Sequence, residues 1–256
     1  MKNALAAEEL EVLRQFAAAS VLLAFDYDGT LAPIVEDADQ AYMRPATREL
    51  LWQLTSRYPV IVITGRAQPD ALRRLRGVGV LEVVGNHGIE PMHASNRYAE
   101  LVRRWHSDLE RCVAAWPGVS LEDKIYSVAV HYRKARDPEG ARAAILETAA
   151  GLAEARILGG KQVVNLVPRG AVDKGAALLR EQQRLLCEKA LYVGDDETDE
   201  DVFTRSNPDT LLGIRVGDKS GSAASHFIAE QSAIDDLLRI LIDLRQEPDQ
   251  GRRHGR

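Results

Sequence analysis

The sequence has no long apolar run, few cysteines and no surplus of positive charge. No stretch approaches the roughly 20 apolar residues that a membrane-crossing helix needs. Glu8, Glu9 and Glu11 stand where a secretory signal would carry its apolar segment. A cytoplasmic protein without a membrane partner is therefore expected. The two cysteines, Cys112 and Cys187, lie far apart and match neither a disulfide framework nor a metal-binding spacing. Both are expected to be reduced core thiols. The net charge of −5 argues against a broad basic face and so against a nucleic-acid partner. Internal repeats and low-complexity segments are absent, and residues 248–256 are expected to be a disordered tail. What is present is ordinary for a globular protein: 256 residues, 45% hydrophobic and 28% charged, enough for one large domain or two small ones. A monomer acting on a small molecule is the expectation.

The rest of the chain is organised around residues 21–31. Val21, Leu22, Leu23, Ala24 and Phe25 run straight into Asp26-Tyr27-Asp28-Gly29-Thr30. A short apolar run bounded by a turn signal predicts a strand buried on both faces. Asp26 ends that strand, and Gly29 permits the turn. In an open parallel sheet, ligands bind beyond the carboxyl ends of the strands, so Asp26 and Asp28 are expected at the mouth of a site. Close carboxylates repel unless a cation lies between them, and all-oxygen ligands favour Mg²⁺. A calcium loop also begins Asp-x-Asp, but here Leu31 stands where its glycine belongs, Asp37 where its glutamate belongs, and a strand precedes it. A solvated turn with incidental acids is the other reading, and a second acidic cluster downstream weakens it.

In chain order, residues 8–19 have helical spacing and Pro45 opens a second helix. Residues 60–63 predict a buried strand ending in Thr64-Gly65-Arg66, residues 70–75 a helix, and residues 81–84 a strand ending in Gly85-Asn86-His87-Gly88. This alternation predicts an α/β fold with a doubly wound parallel sheet. The pattern then changes. A long amphipathic helix over residues 98–116 precedes half-polar strands at 119–122 and 127–133, a helix from 137 to 153, and a hairpin turning at Gly159-Gly160 into 162–167. An inserted α+β domain covering 93–168 is expected, interrupting a parallel core formed by 1–92 and 169–256. Afterwards the parallel pattern resumes with a helix from Lys174. A strand at 190–193 follows, ending in Gly194-Asp195-Asp196-Glu197-Thr198-Asp199, then a strand at 211–216 and a closing helix over 233–244.

Taken singly, Thr64 reads as a turn hydroxyl, Lys174 as a solvated lysine and the second acidic cluster as a capped helix start. Together they make a metal-assisted phosphoryl-transfer set: an acid pair, a hydroxyl, an ammonium and further acids. One carboxylate can attack phosphorus. A second can protonate the leaving oxygen and later activate water.

These motifs resemble the haloacid-dehalogenase-like phosphatases, and more closely the trehalose-6-phosphate phosphatase family. The closer likeness lies in residues 26–34, 63–66, 86–88, 131–133, 174–175 and 194–200. It implies a Rossmann-like core with a sugar-binding cap, and Mg²⁺-dependent hydrolysis of a sugar phosphate through an aspartyl-phosphate, with trehalose 6-phosphate as first substrate. It also implies roles. Asp26 is the nucleophile, Asp28 the general acid/base, and Thr64 and Lys174 hold phosphate. Asp26, Asp195 and the Asp28 backbone carbonyl ligate Mg²⁺, supported by Asp196 or Asp199. Gly65, Arg66, Asn86, His87, His131, Arg133 and Asn165 are the implied substrate contacts. That family usually carries an acidic residue where Asn165 stands, which keeps another glycosyl phosphate open as substrate. A non-catalytic sugar-phosphate sensor is the rival from another class.

Overall fold

The computed structural model describes residues 1–205, Asn207 and residues 209–246; the tail expected at 248–256 lies outside them. The chain runs β1 (Lys2–Asn3), α1 (Leu10–Ala18), β2 (Val21–Phe25), α2 (Pro45–Thr55), β3 (Val60–Ile63), α3 (Gln68–Arg74) and β4 (Glu82–Val84). It continues through α4 (Asn96–Ala114), β5 (Ser120–Asp123), β6 (Val128–His131), α5 (Pro138–Ala150), β7 (Ala155–Leu158) and β8 (Val163–Pro168). It closes with α6 (Lys174–Arg184), β9 (Lys189–Gly194), α7 (Glu200–Phe203), β10 (Leu211–Val216), β11 (His226–Ile228) and α8 (Ile234–Gln246). No helix among the described residues is long and apolar enough to cross a membrane.

Seven strands pair in the order β1-β11-β10-β9-β2-β3-β4, every pair parallel. β2 explains why the run at 21–25 is uninterrupted. Val21, Leu23 and Phe25 join a cluster with α1, α2 and α8, while Leu22 and Ala24 join another with Ala177 and Leu178 of α6 and Val202 and Phe203 of α7. Both faces are covered, so neither phase of the alternation can be polar. Burying each large side chain of β2 is worth about 1.5–3 kcal/mol. From β2 the chain winds outward through β3 and β4, then returns to place β9 on the other side of β2. The crevice between the ends of β2 and β9 is thus the topological switch point, where doubly wound sheets bind ligands. β1 and β11 were not expected, being only two and three residues long, too short to leave a periodicity.

The second sheet is antiparallel, β5-β6-β8-β7. Val128, Val130, Val164 and Leu166 face α4 and α5, where Leu101, Trp105, Leu109 and Ile145 close an apolar core. The register aligns Glu122 with Ala129, Ala129 with Asn165 and Asn165 with Leu158. Side chains alternate across a strand, so this row lies on the opposite face, toward the parallel sheet. The two-residue turn expected at Gly159-Gly160 is instead a loop over residues 159–162, with Gln162 at φ 62. Cys112 and Cys187 are free and half-buried, each packed against a different apolar cluster.

Candidate active site

At the switch point the parallel register brings the two acidic motifs level. Phe25 pairs with Val193, and the Asp26 amide donates to the Val193 carbonyl at 2.9 Å. Gly29, at φ 79, lies so close to the Asp195 carboxylate that a Cβ would overlap it. Only glycine permits both that turn and that approach. Asp26, Asp195 and Asp199 are all buried, and one oxygen from each falls within 4.8 Å of the others.

Their partners separate their roles. Asp199 is saturated: Oδ1 accepts from Lys174 Nζ at 2.7 Å and from the Tyr192 hydroxyl at 2.6 Å. Its Oδ2 accepts the amides of Asp195 and Asp196, each at 2.8 Å. Asp199 therefore shapes the loop and anchors the lysine. Asp196 caps the short turn in a reciprocal box with Asp199. Arg215, buried on β10, ties the same loop down by donating to the carbonyls of Asp195 and Asp196 and pairing with Glu200. Asp195 is different: Oδ2 meets Lys161 Nζ, while Oδ1 is buried without a hydrogen-bond partner among the described residues. Burial, with Asp199 beside it, pushes its carboxyl up to about 6 against the pull of Lys161. Burial also pushes Asp26 well above the usual carboxylate range, opposed by Lys174 and aided by Asp199, Asp195 and Asp28. An unpaired carboxylate oxygen beside a second carboxylate is the donor set of a hard divalent cation, so these residues fit a metal.

Lys174 opens α6 and reaches Asp26 Oδ1 at 3.2 Å. Burial alone would lower its pKa, but Asp199 and Asp26 hold it above the ordinary lysine range. Thr64, buried at the end of β3, accepts the Arg66 amide on Oγ1 at 3.2 Å, which leaves its own proton free to donate. Asp28 is half-exposed and forked by Arg66, with Nε and Nη2 each 2.7 Å from a carboxylate oxygen. Arg66 also pairs with Asp70 and lies over the Tyr27 ring. The side chain expected on substrate is thus committed to Asp28 in this conformation.

His87 packs so closely on Gly65 that a Cβ there would overlap its ring. Its backbone is left-handed, at φ 58, and neither ring nitrogen has a partner among the described residues. Burial, reinforced by Lys124, Lys174 and Arg156, holds its pKa well below the ordinary histidine value, so the ring is neutral. Asn86, expected on substrate, is consumed as a staple. Its amide donates to Glu90 at 2.6 Å and to the Lys124 carbonyl at 3.2 Å, and its oxygen accepts from Ser127.

The facing side of the antiparallel sheet carries Glu122, Lys124, His131 and Asn165. His131 Nε2 lies 2.8 Å from Glu122. Partial desolvation resists ionisation of Glu122, which is still 46% exposed, but His131 and Lys124 draw its carboxyl down to about 2. Lys124 Nζ donates to the Gly65 carbonyl at 3.0 Å. Arg133 bridges the two sheets' loops, donating to Val35 O at 2.6 Å, Lys161 O at 3.1 Å and Gln162 Oε1 at 3.1 Å. Glu122, Lys124, Lys161 and Arg215 escaped the reading of the sequence. The alternation of 119–122 against 127–133 already put Glu122 and His131 on one face; the other three left no signal.

A doubly wound sheet with acids at its switch point, interrupted after β4 by an antiparallel sheet, defines the haloacid-dehalogenase-like hydrolase fold. A haloacid-dehalogenase-like hydrolase from B. subtilis superposes with TM-score 0.59 over 85% of this chain and 98% of that one at 15% identity, a likeness of fold. The trehalose-phosphatase family model matches residues 24–233, and the chain belongs to that family. The trehalose-phosphate phosphatase of Mycobacterium tuberculosis H37Rv is 34% identical over 243 residues, covering 88% of this chain. This chain spans only 62% of the length of that relative. In fold, the C. albicans trehalose-6-phosphate phosphatase C-terminal domain is similar, with TM-score 0.79 over 95% of this chain and 99% of that one at 22% identity.

Proposed function

We propose that this chain is an Mg²⁺-dependent phosphatase that hydrolyses trehalose 6-phosphate. The observation that carries it is the convergence of Asp26, Asp195 and Lys174 at one crevice beneath a polar sheet face. Asp26 attacks phosphorus, and the bond to the sugar oxygen breaks. That oxygen takes a proton from Asp28. Water, deprotonated by Asp28, then attacks the aspartyl-phosphate and releases phosphate, restoring Asp26. The Arg66 fork holds both oxygens of this acid in place beside the crevice. The Thr64 hydroxyl and the third Lys174 proton would hold phosphoryl oxygens as charge builds. Asp26, Asp195 and the Asp28 backbone carbonyl would hold Mg²⁺, which when bound supplies charge neutralisation at those oxygens. Asp196 and Asp199 would support that set from the loop.

The domain reading assigns 1–92 and 169–256 to the catalytic core and 93–168 to a cap that closes over the sugar. Glu122, Lys124, His131, Asn165 and the neutral His87 ring would then meet hydroxyls. A cytoplasmic location belongs to this reading, and two free thiols, Cys112 and Cys187, fit it. The test is phosphate release from a panel of sugar phosphates in metal-stripped buffer, with and without added Mg²⁺. Turnover of trehalose 6-phosphate should appear only with the ion, and full activity without it would sink the assignment. Asn165 in place of an acid favours one second reading, a different glycosyl phosphate, which the same panel would reveal as the preferred substrate.

Arg133 gives a further check. Because it joins the cap loop to the Val35 carbonyl, Arg133→Ala should cost about 1–3 kcal/mol in kcat/KM for the sugar phosphate. Hydrolysis of a small aryl phosphate, which needs no closed cap, should barely change. Equal losses on both substrates would refute the cap role.

A further inference from the structure

One cation at the crevice is not carried by the parallel core. Lys161 sits in the loop between β7 and β8, with Nζ 2.5 Å from Asp195 Oδ2. That loop is seated by its backbone as well as by this side chain. A Cβ on Gly159 would overlap the Glu197 carboxylate, and one on Gly160 would come within 3.3 Å of Asp196 and 3.4 Å of the Asn165 amide. Arg133 grips the Lys161 carbonyl and the Gln162 side chain from the other side. The main chain at Lys161 is therefore held at the crevice by these backbone approaches and the Lys161–Asp195 pair together. The two charges differ in freedom: the Lys161 side chain is 52% exposed and the Asp195 side chain 1%.

The geometry points to Lys161 as a counter-ion, carried by the cap, that competes with the divalent cation for Asp195. This rests on the reading of Asp195 as a metal ligand. A carboxylate so buried needs a positive neighbour, and the ammonium is the one positioned to serve when no metal is bound. Asp195 Oδ1 is still unpartnered, so an incoming cation finds an open oxygen. It then sits beside an ammonium on the same carboxylate, and like charges in a buried site repel. Metal loading and the grip of Lys161 on the core are therefore antagonistic. The ion weakens the Lys161–Asp195 pair, and the pair weakens binding of the ion. Lys161 is on this account a positioning residue whose contact reports to the cap whether the metal is loaded.

Titration calorimetry of Mg²⁺ into the metal-stripped full chain, without substrate, tests this. Lys161→Met should bind Mg²⁺ about two- to fivefold more tightly than wild type, the scale of one half-exposed ion pair. Lys161→Arg should restore the wild-type constant. Amide hydrogen exchange in residues 159–162 should rise on adding Mg²⁺ to wild type and stay level in Lys161→Met. A purely structural lysine would move thermal stability and leave the Mg²⁺ constant alone. Equal or weaker binding in Lys161→Met, or no change in exchange of the wild-type loop, overturns the inference. Absence of Mg²⁺ binding in both proteins overturns the metal reading itself, and this inference with it.

Discussion

Asp26→Asn should abolish turnover, by about 10⁴-fold or more, while the protein stays folded and gains stability at neutral pH when stripped of metal. The catalytic loss follows from exchanging a carboxylate for an amide that neither attacks phosphorus nor binds a cation well. The stability gain follows from burial. Asp26 is 5% exposed, and desolvation holds its folded-state pKa well above the ordinary value even with Lys174 beside it. A carboxyl whose pKa is raised by folding lends its stability below the ordinary aspartate range, near 3.9, and loses it as pH rises above that. Asparagine has no such loss. The advantage of the variant should therefore grow as pH climbs from about 4 toward 7, and shrink once Mg²⁺ is added to the wild type. Urea unfolding across pH, with and without the ion, measures both effects. Near-normal turnover, or a phospho-enzyme trapped on the variant, would put the nucleophile elsewhere. A functional group held at a cost to the fold is the usual compromise at a catalytic centre.

What the sequence disclosed of this site, and what it did not, divides along a physical line. Asp26, Thr64 and Asp195 end strands whose apolar runs are unbroken because both faces are covered, and an unbroken run meeting an acid or a hydroxyl is visible in one dimension. Gly29 is visible as a turn signal and Gly65 is implied as a substrate contact, though the approach of Asp195 and His87 that each glycine allows is a tertiary one. Lys124, Lys161 and Arg215 look like any solvated cation, since nothing local records that each ends on a backbone carbonyl or carboxylate far along the chain. Asn86 stands beside His87 in a motif that suggests ligand binding. Its amide is nevertheless spent joining the core to Lys124 and Ser127 at the entrance to the antiparallel sheet. Asp199 resembles Asp195 in sequence, and only the count of its hydrogen bonds separates the loop organiser from the carboxylate with an open oxygen. Gly159-Gly160 is a strong two-residue turn signal, yet the loop runs over 159–162. The longer loop is what lets Lys161 reach the crevice.

Lys174→Met should reduce stability by about 3–5 kcal/mol at neutral pH, the cost of removing one partner from a buried ion cluster, and should reduce turnover by about 10²–10³-fold. Methionine retains most of the volume, so the loss is electrostatic and not a cavity. Lys174 is 2% exposed and touches Asp26 and Asp199 at 3.2 and 2.7 Å, and Asp199 itself is fully buried. Without the ammonium, Asp199 retains Tyr192 and two backbone amides, but Asp26 retains no ion-pair partner among the described residues. The pH dependence follows from the two directions of shift. The folded-state pKa of Lys174 is raised, so its contribution is complete below the ordinary lysine range, near 10.4, and declines only as pH rises beyond it. The folded-state pKa of Asp26 is also raised, and removing its one close cation raises it further. Asp26 in the variant therefore takes up a proton as pH falls through that further-raised value, above the ordinary aspartate range, and the buried negative charge disappears. The gap in unfolding free energy between wild type and Lys174→Met should be widest just below the ordinary lysine range and should narrow as pH falls toward 4. Mg²⁺ should narrow it as well, by supplying the missing positive charge at Asp26. A gap that stays constant from pH 4 to 8 would mean that the lysine stabilises the core by packing its methylenes and not by its charge.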